Sequence, residues 1–123
     1  MPYDRSMSIV LYGIPNCDTV KKARAWLAGN SLAYQFHDFK KQGVPAERLR
    51  EWIAQCGWEW LVNRQGTTWR KLDTKEQAAV TDAASAQALM QAHPSVIKRP
   101  VVEWGDEITV GFDPAAWALR ARR

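Results

Sequence analysis

Cys17 is the residue whose chemistry and position best suit a reactive site. It lies in the segment YGIPNCDTVKKA (12–23), between the predicted end of a strand and the predicted start of a helix. A helix N-terminus carries a partial positive charge and free NH groups, and both favour the nucleophilic thiolate. Lys21 returns to the same face one turn later and adds positive charge, whereas the carboxylate of Asp18 opposes it. The alternative is an unreactive, buried cysteine.

The second cysteine, Cys56, falls on the apolar face of a predicted helix together with Leu49, Trp52 and Ile53. This pattern favours a small core residue. The alternative is a resolving cysteine that pairs with Cys17. Because two cysteines are too few for a disulfide framework, the chain is expected in a reducing, cytoplasmic compartment.

Two further segments carry arginines that suit an anion. Arg64 opens the segment RQGTTWRK (64–71), and guanidinium groups bind oxyanions through paired hydrogen bonds. The alternative for this segment is a solvated loop. Arg99 precedes Pro100 at the head of a predicted strand, where a cis peptide bond would turn the Arg99 backbone toward the Cys17 end of the sheet.

Apolar periodicity, caps and turn residues predict the elements that position these side chains. The first part has strands at 8–12 and 33–39 around a helix at 19–29. The middle part has helices at 45–57, at 58–63 (or a turn), at 74–77 with a capping box from Thr74, and at 82–92 with Asp82 as its cap. The last part has strands at 96–97, 101–104 and 107–110 and a helix from Pro114 capped by Asp113. This order predicts an α/β protein with a thioredoxin-like fold, a mixed sheet and a helical insertion. We expect one domain over 1–123, with its core at 8–40 and 96–123 and the insert at 41–95.

Composition narrows the class of protein. The 123 residues are 46% hydrophobic and 24% charged, which is typical of one globular domain. The net charge of +4 is concentrated in three arginines among the last four residues, so a nucleic-acid-binding face is not expected. The sequence predicts no membrane helix, no secretory signal and, with only His37 and His93 as histidines, no metal site. Met7 is a candidate start, with residues 1–6 as an extension, and we expect a monomer.

Four segments resemble the arsenate reductase/Spx/YffB family, most closely its YffB-like branch. They are YGIPNCDTVKKA (12–23), RQGTTWRKL (64–72), IKRP (97–100) and VGF (110–112). Together they follow the family order from residue 8 to about residue 119. The resemblance implies a thioredoxin-like fold with a helical insert, a catalytic role for Cys17, anion binding by Arg64 and Arg99, and a cis peptide bond before Pro100.

The chain also departs from the family pattern. Arsenate reductases carry a histidine at the position of Gly13 and an arginine at that of Lys21, and their third anion-binding arginine has no counterpart at 109–111. Spx-type regulators often have a second cysteine where this chain has Val20. The resemblance therefore argues against arsenate as the main substrate and against a Cys-x-x-Cys redox switch.

A weaker likeness to glutaredoxins concerns Pro100, Gly111 and Asp113, which follow the order of the parts that hold glutathione there. We therefore expect a glutathione-dependent thiol-disulfide reductase with glutathione as co-substrate and a small-molecule or protein disulfide as substrate. The alternative is a non-catalytic, Spx-like module that binds a partner such as the RNA polymerase alpha subunit, and exposure of Trp58 and Trp60 would favour it. The expected site consists of the nucleophile Cys17 and, for substrate or glutathione, Asn16, Lys21, Arg64, Arg99, Pro100, Gly111 and Asp113.

Overall fold

Residues 8–121 are described by a computed structural model, so the predictions for residues 1–6, Met7, Arg122 and Arg123 lie outside the described range. Within this range the chain forms two compact units, one made of 8–38 with 99–121 and the other of 39–98. The single domain stays a prediction. The elements are β1 (Ile9–Gly13), α1 (Asp18–Gly29), β2 (Gln35–Asp38), α2 (Phe39–Gln42), α3 (Ala46–Cys56), α4 (Trp58–Leu61), α5 (Thr67–Lys71), α6 (Thr74–Ala78), α7 (Ala83–Ala92), a 3-10 helix (Pro94–Val96), β3 (Val101–Trp104), β4 (Glu107–Val110) and α8 (Pro114–Ala121).

The first unit is built on a four-stranded mixed sheet in the order β2-β1-β3-β4. β1 pairs in parallel with β2 and antiparallel with β3, and β3 and β4 form an antiparallel hairpin. Gly105 takes a φ of 69° in the hairpin turn, a conformation that suits glycine. The predicted α/β, thioredoxin-like fold with a helical insertion is confirmed.

One face of this sheet packs against α1 and α8. The buried residues of this core are Ile9, Leu11, Val20, Ala23, Leu27, Val102, Trp104 and Trp117. The ring of Trp117 lies edge-on to Trp104 and Phe112, with centroids 5.1 and 4.8 Å apart. Such edge-to-face pairs add to the stabilisation that comes from burying the rings. This core holds α1, and therefore the start of α1, against the sheet.

The other face of the sheet carries a buried polar pair that the sequence did not reveal. The Tyr12 hydroxyl donates to Glu103 Oε1 over 2.9 Å, and both residues are buried. The ring of His37 lies 4.9 Å from that of Tyr12. The pair can be explained by the strand register, since side chains alternate between faces and Glu103 lies opposite Val10, two residues before Tyr12.

The second unit is helical, as predicted, but several boundaries in it were wrong. The capping box begins at Asp73 rather than Thr74, because the Asp73 carboxylate accepts from the Glu76 NH while the Glu76 carboxylate accepts from the Asp73 NH. Pro45 is the N-cap of α3 rather than its first residue. The short helices α2 and α5 were not predicted, since four or five residues are too few to show helical periodicity.

The strand predicted at 96–97 is also wrong. Val96 ends the 3-10 helix that Pro94 begins, and Ile97 pairs with Val62 in an isolated β-bridge outside the strands. The β-branched residues that suggested a strand are instead buried between the helices of this unit. Among residues 8–121, none of the helices is long and apolar enough to cross a membrane.

Candidate active site

Cys17 occupies the N-cap of α1. After β1 ends at Gly13, the chain turns through Ile14 and Pro15, and the Cys17 NH donates to the Ile14 carbonyl over 3.2 Å. The Cys17 carbonyl then accepts the first helical hydrogen bond, from the Lys21 NH over 2.9 Å. With φ −91° and ψ 126°, Cys17 has the extended backbone of a cap residue. The end of the strand and the start of the helix lie within one residue of their predicted positions.

The environment of the Cys17 sulfur favours the thiolate. Partial burial raises the pKa of this thiol, but the Val20 NH, a hydrogen bond and the charge from Arg99, and the Thr19 NH outweigh burial and lower it overall. The sulfur does not form a conventional capping hydrogen bond with the helix. The Val20 and Thr19 NH groups therefore act on it through the partial positive charge of the helix N-terminus. A lowered thiol pKa gives more of the nucleophilic form near neutral pH.

Arg99 reaches this sulfur from a distant part of the sequence because of the strand register. The first residue of β3 lies opposite Tyr12 in β1, so the residues just before β3 lie beside the end of β1. The peptide bond between Arg99 and Pro100 is cis, as predicted, and the Gly111 NH donates to the Pro100 carbonyl over 2.8 Å. The end of the sheet at which β1 leads into Cys17 therefore also holds Arg99, Pro100 and Gly111.

The remaining predicted residues of this unit have distinct settings. Asn16 and Lys21 are exposed, Asn16 in the turn before Cys17 and Lys21 in α1. Asp113 caps α8, as predicted, because its carboxylate accepts from the Ala116 NH over 3.2 Å. The positive charge that acts on the thiol is that of Arg99. Whether Asn16, Lys21 and Asp113 contact a substrate stays a prediction.

Cys56 lies near the end of α3 in a different environment. It is half-buried, and burial raises the pKa of its thiol. A raised pKa keeps the thiol protonated and weakly nucleophilic near neutral pH. The two cysteines thus differ in the direction of their pKa shifts. The catalytic role of Cys17 stays a prediction.

Arg64 belongs to the helical unit and lies in the turn between α4 and α5. Its guanidinium carbon is 5.6 Å from the ring centre of Trp58 and 5.7 Å from that of Trp69. Exposed cation–π contacts of this kind contribute about 0.5–1 kcal/mol each. Arg64 also lines a surface cavity of about 410 Å³ together with Trp69 and Val80. The sequence did not reveal the flanking rings, and the predicted anion-binding role of Arg64 stays a prediction.

The fold and the site together define a thioredoxin-like protein with a thiolate-favouring cysteine at the start of its first helix. The model of the ArsC family matches residues 12–119, and the chain belongs to the ArsC family. Within the described residues, no group of three or more His, Cys, Asp or Glu side chains is close enough to hold a metal ion.

Three proteins illustrate the relationship. A solved structure of a protein called YFFB is 53% identical, with a TM-score of 0.87 over 91% of this chain and 97% of that one. An arsenate reductase (ArsC) related protein from Brucella melitensis is 48% identical, with a TM-score of 0.74 over 98% of this chain and 99% of that one. An uncharacterized protein from Haemophilus influenzae is 38% identical over 85% of this chain and 91% of its own length. These matches confirm the predicted resemblance to the arsenate reductase/Spx/YffB family.

Proposed function

We propose that this protein is a glutathione-dependent thiol-disulfide reductase that acts as a cytoplasmic monomer and uses Cys17 as its single nucleophile. The observation that carries the proposal is the sulfur of Cys17 at a helix N-terminus, with Arg99 beside it and a lowered thiol pKa. An unreactive structural cysteine would have a raised pKa, as Cys56 does.

The proposed reaction has two thiol exchanges. The Cys17 thiolate attacks the glutathione sulfur of a mixed disulfide, the substrate's sulfur–sulfur bond breaks, and the substrate leaves as a thiol after taking up a proton. A second glutathione, as thiolate, then attacks the glutathione sulfur bound to Cys17. This step releases oxidised glutathione and regenerates the Cys17 thiolate, so one disulfide is reduced for each disulfide formed.

An external thiol is required because a resolving cysteine does not stand near Cys17 in the sequence. Val20 occupies the position of the second cysteine in a Cys-x-x-Cys motif. Cys56, with its raised pKa, is a poor attacking group at neutral pH. Glutathione suits the role, since it is a soluble thiol that carries two carboxylates.

The groups near Cys17 supply contacts for such a ligand. The guanidinium of Arg99 can hold a glutathione carboxylate through paired hydrogen bonds while it stabilises the thiolate. The glutathione backbone would lie along the end of the sheet at Pro100 and Gly111, which a backbone hydrogen bond joins. The further ligand contacts that we propose come from exposed groups: Asn16, Lys21 and Asp113.

Arsenate is a less suitable substrate. Attack of a thiolate on a charged oxyanion brings two negative groups together, so several positive donors must converge. Positions 109–111, where arsenate reductases have a third arginine, are Thr, Val and Gly. A neutral disulfide makes no such demand, because charge develops on the departing sulfur.

A coupled assay tests the proposal. A mixed disulfide of glutathione and a small thiol is supplied with glutathione, glutathione reductase and NADPH, and NADPH consumption is followed. We expect turnover by the wild type and by Cys56→Ser, and loss of turnover in Cys17→Ser. Arsenate in place of the disulfide should give little or none. Turnover that survives in Cys17→Ser, or arsenate turnover without disulfide turnover, would contradict the proposal.

A second candidate is a non-catalytic module that binds a protein partner. Trp60 favours it, since 52% of its surface is exposed and the Lys98 ammonium lies 3.6 Å from its ring centre. Large exposed aromatic side chains are enriched where proteins bind partners. The RNA polymerase alpha subunit is the partner implied by the Spx-type resemblance. Binding of that subunit that is lost in Trp60→Ala, with no turnover of the mixed disulfide, would favour this candidate.

A further inference from the structure

Gly13, the last residue of β1, lies unusually close to the first turn of α1. A Cβ atom placed on Gly13 would be 2.8 Å from Val20 Cγ2 and 3.4 Å from Val20 Cγ1. Carbon atoms in proteins do not pack at 2.8 Å, since their optimal separation is about 3.5–4.0 Å. The strand and the helix therefore approach more closely than any side chain at position 13 would permit.

The side chain of Val20 has little freedom to move away. It is fully buried and belongs to the core formed by the sheet, α1 and α8. A valine in a helix also has one strongly preferred rotamer, because it is branched at Cβ. An added methyl group at position 13 would thus be accommodated mainly by displacement of the first turn of α1 from β1.

That first turn carries the groups that stabilise the Cys17 thiolate. Cys17 bridges the strand and this turn, because its NH donates to the Ile14 carbonyl and its carbonyl accepts from the Lys21 NH. A shift of the helix relative to the strand would therefore move the sulfur relative to Arg99, which lies just before β3, beside the end of β1, and donates a hydrogen bond to it. The strength of a hydrogen bond falls steeply as its geometry departs from the optimum.

We propose that Gly13 is a positioning residue for Cys17: its missing side chain allows the first turn of α1 to lie where it holds the Cys17 sulfur at the helix N-terminus, within reach of Arg99. The inference rests on the proposed role of Cys17 as nucleophile. Gly13 does not contact the reacting atoms itself but acts through Val20.

The test measures the rate of Cys17 alkylation by iodoacetamide against pH, together with the thermal midpoint of unfolding, in a Cys56→Ser background. For Gly13→Ala we expect about a tenfold lower rate at pH 6, because a smaller fraction of the Cys17 thiol is ionised. Gly29→Ala, at the end of the same helix, is the matched control. Its added Cβ meets nothing within 4 Å, so the rate should stay unchanged.

The double variant Gly13→Ala/Val20→Ala identifies the contact. It removes both Cγ atoms and leaves the Val20 Cβ 3.7 Å from the new methyl group, so the rate should return close to that of the starting protein. An unchanged rate in Gly13→Ala with a lowered thermal midpoint would overturn the proposal, as would a double variant that stays slow. If Gly13→Ala fails to fold while the double variant folds, the close approach of Gly13 to Val20 serves folding alone. That result would also overturn the proposal.

This readout is independent of turnover. If the wild type does not reduce a mixed disulfide but Gly13→Ala still slows alkylation, the proposed function fails and the positioning role stands. If turnover is normal in Gly13→Ala and alkylation is unchanged, the positioning role fails and the proposed function stands.

Discussion

Replacing Arg99 with alanine should raise the pKa of the Cys17 thiol and slow its alkylation at pH 6 by about tenfold. Arg99 donates a hydrogen bond to the sulfur and contributes its charge, and a hydrogen bond to a charged group contributes about 1.5–3 kcal/mol. Both residues are partly exposed, so solvent screening puts the effect at the lower end of that range. A loss of about 1.4 kcal/mol corresponds to about tenfold less thiolate at pH 6. The backbone donors of Val20 and Thr19 remain, so the stabilisation is reduced rather than abolished.

The assay is the pH dependence of Cys17 alkylation in a Cys56→Ser background, combined with calorimetric titration of glutathione. Arg99→Lys keeps the charge but loses the planar fork, so its effect should be smaller. Arg50→Ala, which removes an exposed arginine from α3, is the control for net charge and should leave both measurements unchanged. An Arg99→Ala protein with wild-type circular dichroism, alkylation profile and glutathione affinity would refute the assignment of Arg99 to this site.

Three further predictions concern stability and binding in the same unit. Trp117→Ala should lower the free energy of unfolding by about 3–5 kcal/mol in urea titrations, because a fully buried ring is removed from the core; a loss below about 1 kcal/mol would contradict this. Asp113→Ala should cost about 1 kcal/mol, since the Ala116 NH loses its acceptor, whereas Asp113→Asn should keep most of the cap; a raised KM for glutathione in both variants would support ligand binding, and an unchanged KM would remove Asp113 from the site. Because the folded-state pKa of Cys17 is depressed, its ionisation stabilises the fold fully above the unfolded-state pKa of about 8.5, and this contribution is lost as pH falls through the folded-state pKa. As pH rises through that window, the Cys56→Ser protein should therefore gain stability relative to the variant that also carries Cys17→Ser. A loss of relative stability as pH rises would contradict this prediction.

The local features of the site could be predicted from the sequence because they depend on neighbours in the chain. A short strand pattern before Cys17 and helical periodicity after it were enough to predict Cys17 at a helix start. Asp113 before Pro114 likewise predicted the cap of the last helix.

The features that depend on strand register or on close packing could not be predicted in the same way. The hydrogen bond from Arg99 to Cys17 requires the pairing of β1 with β3, although a resemblance to known proteins suggested that Arg99 belongs to the site. The approach of Gly13 to Val20 depends on the distance between a strand and a helix, and sequence periodicity carries no information on that distance. The strand predicted at 96–97 failed because Val96 and Ile97 are apolar residues selected for burial, which a helical unit also requires.

The claim that Cys17 is the nucleophile is tested most directly by trapping its mixed disulfide with glutathione. The reduced protein is exposed at pH 6 to a small excess of oxidised glutathione, acid-quenched, digested without reductant and analysed by mass spectrometry. Because only the Cys17 thiol has a lowered pKa, we predict one glutathionyl group on the peptide that contains Cys17, released again by added glutathione. Modification chiefly at Cys56, or no modification of Cys17 while denatured protein reacts at both cysteines under the same conditions, would contradict it.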